Sequence, residues 1–256
     1  MSGAHSDLPV RLGVALALIG GALLAIWFGG LVFWLLVTVG ALLMLGEWAG
    51  LVGATPQRRL AQYALTVPLA LLAPGLAMGP SWFVFGLIIG AGFFIAAVTR
   101  NGRLGWGIVY VGVPALALVF LREEPHGLLL TFWAMALVWA CDSGAFFAGR
   151  AIGGPKLAPS ISPNKTWAGF IGGLAASAAA AWGMVILFGL PPALALVTPF
   201  LAVLAQAGDL YESHLKRLAG VKDSGTLLPG HGGLLDRLDG LVAVAPAAAL
   251  LVILLT

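Results

Sequence analysis

Cysteine and charge are what this chain has least of. The one cysteine in 256 residues, Cys141, excludes an internal disulfide. It lies in an apolar run with no basic neighbour to ionise its thiol, so packing is its expected role and redox or thiol catalysis is not indicated. Charged residues make up 9% of the sequence against 61% hydrophobic. With a mean hydropathy of +1.03, that balance excludes a soluble globular protein and nothing in it points to nucleic acid. Standard catalytic patterns are also missing. His231 has no cysteine or second histidine at zinc spacing, no Ser-His-Asp arrangement can be argued, and Gly149 to Lys156 fails as a phosphate loop because Pro155 stands where the lysine is required.

What the chain has instead is apolar blocks of about twenty residues, the length that crosses roughly 30 Å of hydrocarbon as helix. The expected fold is all-α: a polytopic membrane protein of about nine spans, near 10–28, 31–53, 60–78, 81–99, 104–121, 127–149, 167–189, 192–212 and 239–256. The first block reads as a span rather than a secretory signal, because another span follows it at once. Short turns at Gly29-Gly30, Gly79-Pro80 and Gly189 to Pro192 make antiparallel hairpins, leaving the polar loops on the opposite side. The whole chain, 1–256, reads as one membrane domain, with 1–130 a helical scaffold and 131–256 the catalytic helices and loops.

The basic residues sort cleanly on that topology. Twelve of the 13 lysines and arginines fall on one side and only Arg122 on the other. The positive-inside rule then places the amino terminus in the cytoplasm, the carboxyl terminus outside, and the polar loops at the cytoplasmic face of a bacterial-type inner membrane. Gly46/Gly50, Gly86/Gly90 and Gly169/Gly173 have the spacing that lets helices approach closely. They indicate packing and leave a homodimer open.

The scarce charge is concentrated. Ser213 to Asp239 carries four basic residues and three aspartates, and ionisable groups beside a membrane mark function by default. Asp142, Asp209, Asp236 and Asp239 all fall near the cytoplasmic rim. Carboxylates converging there would repel by about 4 kcal/mol per pair at 4 Å and an effective dielectric near 20. A divalent cation resolves that conflict, and hard oxygen ligands suit Mg²⁺, which keeps positions for substrate phosphates. Asp142 could be a ligand or could orient a neighbouring group; the plainer alternative, that Lys222-Asp223 and Asp236-Arg237 are solvated rim charges, suits Asp223 better than Asp236, for which metal binding is the preferred reading. Opposite the acids, Pro229-Gly230-His231-Gly232-Gly233 leads into the last span and would aim backbone N–H groups at an anion. Ser162-Pro163-Asn164-Lys165-Thr166 does the same at the seventh, with Ser162 as N-cap and Pro163 at the first helical position.

These residues carry a resemblance. Ser213, Leu215, Lys216-Arg217, Lys222-Asp223, Gly225, Leu228-Pro229, His231-Gly232-Gly233-Leu234, Asp236-Arg237 and Asp239 resemble the signature of the phosphatidate cytidylyltransferases, or CDP-diacylglycerol synthases. The likeness extends to Trp139 through Gly149, to Ser162 through Thr166 and to Gly208-Asp209, whereas the first 130 residues share only their apolar spans. It implies transfer of a cytidylyl group from CTP to phosphatidate, with Mg²⁺ required and a monovalent cation such as K⁺ beside it. Asp209, Lys222, Asp236, Arg237 and Asp239 are the implied catalytic residues, and Asp142, Asp209, Asp236 and Asp239 the metal ligands. The implied substrate contacts are Ser162, Asn164, Lys165, Thr166, Ser213, Lys216, Arg217, Asp223, His231, Gly232 and Gly233. Cytosine recognition has no visible determinant, although Trp167 or Tyr211 could stack on the base. Two rivals remain, a CTP-dependent lipid kinase and an ion-coupled transporter; against the latter, the acids sit at one rim and inverted repeats are absent.

Overall fold

A computed structural model describes residues 20–228 and 232–256. After a helical stretch over residues 20–28 come eight helices: α1 (Gly30–Leu51), α2 (Arg58–Leu71), α3 (Trp82–Thr99), α4 (Gly102–Glu123), α5 (Gly127–Ile152), α6 (Trp167–Phe188), α7 (Pro192–Leu218) and α8 (Leu235–Leu255). Among the described residues, seven helices are long and apolar enough to cross a membrane, all of these but α2. The all-α polytopic expectation therefore holds.

The helix ends follow local chemistry. Ser81 and Asn101 accept from Val84 N and Leu104 N and cap α3 and α4. α2 stops far short of the continuous 60–78 block expected, because Pro74 disfavours helical backbone at Ala73 and Gly75 turns at φ +69°. Its 14 residues span only about 21 Å. α7 runs past the expected 212 and carries Lys216 and Arg217 on helix.

The link between α5 and α6 departs from expectation. Ser162-Pro163 is not the start of a helix. Gly153 and Gly154, at φ +67° and +89°, end α5, and Lys156–Ala158 (β1) then pairs antiparallel with Ser162–Thr166 (β2). Thr166, not Ser162, caps α6, accepting from Gly169 N at 3.1 Å. Lys165 and Asn164 are thereby held on a short strand instead of a helical turn.

Two apolar cores share α4 and α8. One gathers Leu121, Trp133, Leu137, Leu194, Leu201 and Val244 from α4, α5, α7 and α8. The other gathers Leu45, Trp48, Leu65, Ile88, Ile108, Leu235 and Val242 from α1 to α4 and α8. α8 is thus wedged between both halves, which fixes the rim it carries. α5 and α6 approach closely: a Cβ on Gly144 would meet Gly172 O at 2.6 Å, and one on Gly173 would meet Cys141 O at 2.8 Å. Of the three glycine pairs noted in the sequence, Gly169/Gly173 makes such an approach; a Cβ on Gly50, Gly86 or Gly90 would meet nothing within 4 Å.

Arg122 has a structural post. Its guanidinium donates to Ile26 O at 2.8 Å and Trp27 O at 3.1 Å, satisfying carbonyls at the end of the 20–28 helix. Arg122→Ala is expected to cost about 1.5–3 kcal/mol per lost charged hydrogen bond, before solvent screening. Thermal unfolding in detergent should show a lowered midpoint, while turnover of the folded protein stays within twofold of wild type.

Candidate active site

The polar groups collect at one end of the bundle. Trp48 Nε1 donates to Arg103 O at 2.8 Å, and Arg217 Nε to Ile161 O at 3.5 Å. These bonds bring the end of α1, the start of α4, the end of α7 and the β hairpin to one rim. There a cavity of about 550 Å³ opens between α5, α6, α7 and the hairpin. Its polar lining is Asp142, Arg150, Asn164, Lys165, Thr166, Gln206 and Asp209, and Phe146 and Phe170 stand among the apolar walls.

Lys165 is the centre of this lining. Its ammonium lies 2.7 Å from Asp209 Oδ2 and 3.3 Å from Gln206 Oε1, while Ser213 Oγ donates to Asp209 Oδ1 at 3.3 Å. Gln206 in turn donates to Cys141 Sγ at 3.4 Å, so the buried cysteine packs and steadies the glutamine. Asp239 comes in from α8, with Oδ1 accepting from Gly240 N at 2.7 Å. α7 and α8 cross there, since a Cβ on Gly208 would meet Asp239 O at 2.7 Å.

A second polar cluster lies beside the first. Lys216 Nζ bridges Asp236 Oδ1 at 2.7 Å and Glu212 Oε1 at 3.1 Å. Asp236 Oδ2 accepts from Ser224 N, Ser224 Oγ and Gly233 N at 2.8, 3.0 and 2.8 Å. Both oxygens of Asp236 are therefore engaged by the protein, and the Lys216 ammonium, read from sequence as a substrate contact, is committed to two carboxylates. The amide of Gly233, read as a phosphate donor, is turned onto Asp236. Gly232 adopts φ +83° and packs over Asp223. Lys222, Asp223, Arg217 and Arg237 are exposed at the rim and do not line the cavity. Ser162 sits at the hairpin beside Ala158. His231 lies outside the described residues.

Some groups escaped the sequence reading. Arg150 and Gln206 line the cavity, the latter a neutral residue with nothing to mark it out. Glu212 is 0% exposed, and its Oε2 has no hydrogen-bond partner among the described residues. Glu47, the only acid in α1, accepts from Ser224 Oγ, Leu234 N and Leu235 N; the rule that isolates acids in apolar spans would have found it. Tyr211 is engaged by Tyr110, ring centroids 5.6 Å apart, and by Trp106 Nε1 at 3.1 Å.

Among the described residues no three histidine, cysteine or acidic side chains come together closely enough to hold a metal ion. Asp142 and Asp209 line the cavity with Lys165 bonded to Asp209, and Asp239 stands outside that lining; their oxygens are the hard donors a divalent cation takes.

Apolar spans enclosing acids and bases at one rim define a multi-pass membrane protein whose polar site is built for charged groups next to lipid. The chain belongs to the cytidylyltransferase family, whose model matches residues 9–255. It is 43% identical over 252 residues to the phosphatidate cytidylyltransferase of Brucella suis, covering 94% of this chain and 91% of that protein. The phosphatidate cytidylyltransferase of Pseudomonas aeruginosa is 37% identical over 260 residues, covering 95% and 92% of the two chains. That of Bacillus subtilis is 43% identical over 149 residues, 57% and 55% of the two chains.

Proposed function

We propose that this chain transfers the cytidylyl group of CTP to phosphatidate, forming CDP-diacylglycerol and pyrophosphate at the cytoplasmic face of a bacterial inner membrane. The observation that carries the reading is the cavity in which Lys165, Arg150 and Asn164 face Asp142 and Asp209 at the end of apolar helices, in a chain of this family. An oxygen of the phosphatidate phosphate attacks the α-phosphorus of CTP, and the bond from that phosphorus to the β-bridging oxygen breaks. The attacking phosphate is largely ionised already, with a second pKa near 6 by analogy with phosphorylated side chains, so no strong base is needed.

The task left to the protein is to hold two anions together. Lys165 and Arg150 supply positive charge to phosphates entering the cavity, and Asn164 and Thr166 supply hydrogen bonds. Asp209, Asp239 and Asp142 would hold Mg²⁺, which when bound neutralises triphosphate charge as pyrophosphate departs. Asp236 accepts four bonds, three of them from Ser224 and Gly233, and so shapes the loop before α8; Asp209, paired with Lys165 and Ser213, would exchange the Lys165 ammonium for the ion. Rim cations Lys222, Arg217 and Arg237 raise the local concentration of nucleotide. The sides of the cavity at Phe146 and Phe170 would let a lipid phosphate enter with its tails still in hydrocarbon.

CTP labelled at the α-phosphorus, incubated with purified protein, Mg²⁺ and phosphatidate, should place label in the lipid product. Label entering lipid only from the γ-phosphorus would mean a kinase, and no labelled lipid from either would remove the enzyme reading. Lys165→Ala should lower kcat/KM by about tenfold, the equivalent of 1.4 kcal/mol, since one charged contact among several is lost. A variant kinetically identical to wild type would reduce Lys165 to a partner of Asp209.

A further inference from the structure

We infer that Glu47, in the amino-terminal half, is a positioning residue that caps α8 from a distance and holds the site's carboxylates in place. The inference rests on the proposed transfer reaction. α8 opens on Leu234, whose side chain cannot cap, and no side-chain bond from its own N-cap satisfies the first amides. Glu47 does this instead. Its Oε1 accepts from Leu234 N at 2.9 Å, and its Oε2 from Leu235 N at 2.8 Å and Ser224 Oγ at 3.1 Å. A carboxylate at a helix N-terminus also meets the positive end of the helix dipole.

The fit is tight. A Cβ on Gly225 would meet Glu47 Oε1 at 2.9 Å, and one on Gly233 would meet Glu47 Oε2 at 2.6 Å, so both glycines lie flat on the carboxylate. Ser224 joins the two acids, because its hydroxyl is also 3.0 Å from Asp236 Oδ2. Glu47, Ser224 and Asp236 thus fasten the loop before α8 to the scaffold, one turn ahead of Asp239. The arrangement gives the first half of the chain a defined part in the chemistry: without it, the loop and first turn of α8 lose their anchor although the packed body of the helix stays, and misplacement by about 1 Å can cost about a hundredfold in rate.

Glu47→Gln tests this, because glutamine keeps the shape but offers one acceptor oxygen where two are used. Wild type and variant are compared as purified full-length proteins by CTP and phosphatidate kinetics and by amide hydrogen exchange. The expected result is a kcat lowered roughly 10- to 100-fold, a KM for CTP changed less than threefold, and faster exchange at Ser224, Gly233, Leu234 and Leu235 while α4 is unaffected. Glu47→Asp, which keeps two acceptors, should recover part of the rate. Unchanged exchange at those amides, or unchanged kcat with faster exchange, overturns the inference. If wild type itself makes no CDP-diacylglycerol, the functional reading fails, and the exchange comparison still decides whether Glu47 caps α8.

Discussion

Asp239→Asn is expected to reduce cytidylyl transfer at least a hundredfold at saturating CTP while leaving the protein inserted and folded. Asparagine fills the same space and can still accept from Gly240 N, the bond Asp239 makes at 2.7 Å. The substitution therefore removes charge and little else. Removing a charge from this half-buried position lowers the cost of desolvation and gives no reason for unfolding. A fall in rate of this size, about 2.7 kcal/mol or more, is then chargeable to the site. Gel filtration and thermal unfolding in detergent, run beside the turnover assay, separate the two. A variant that keeps more than a tenth of wild-type turnover would show that this carboxylate has no essential part.

Lys216→Met has the opposite character, and its main effect falls on folding. The ammonium bridges Glu212 and Asp236, with side-chain exposures of 13% for Lys216, 0% for Glu212 and 7% for Asp236. Removing one cation leaves two buried carboxylates facing each other, and breaking a buried pair in this way costs about 3–5 kcal/mol. The seam between α7 and α8 should loosen, with a sharply lower unfolding midpoint and poor recovery of monodisperse protein. Adding Glu212→Gln to the variant removes the fully buried uncompensated charge and should restore part of the midpoint without restoring turnover. A Lys216→Met protein that unfolds like wild type would mean the ammonium is free to serve a substrate phosphate after all.

The legible parts of the chain were those where one signal dominates. Long apolar blocks located α1 and α3 to α8 within a few residues, because a membrane span is set by length and hydropathy rather than by tertiary contacts. Acids in such a setting are equally conspicuous, and Asp142 and Asp209 line the cavity with Lys165. Ser162-Pro163 was misleading because serine before proline is a good helix start. The outcome was decided by residues before it: Gly153 and Gly154 turn the chain back so that Lys156–Ala158 can pair with Ser162–Thr166, and the capping role passes to Thr166. Gly233 reads as an anion-binding turn when only its flanking residues are considered. Its amide is taken by Asp236, and the next two by Glu47, a residue 186 positions away in sequence from Gly233. Pairings of that range leave no local trace. Nor does sequence spacing tell that Lys216 faces carboxylates rather than solvent, since both are compatible with a helix end rich in charge.

On the proposed reading Asp142, Asp209 and Asp239, rather than Asp236, hold the divalent cation beside the cavity. Titrating purified protein with Mn²⁺ alone, and following loss of the free-ion electron paramagnetic resonance signal, tests it without turnover. Wild type and Asp236→Asn should both take up the ion, with Asp209→Asn and Asp239→Asn binding at least tenfold more weakly. Uptake that survives in Asp209→Asn and Asp239→Asn but disappears in Asp236→Asn would contradict the account.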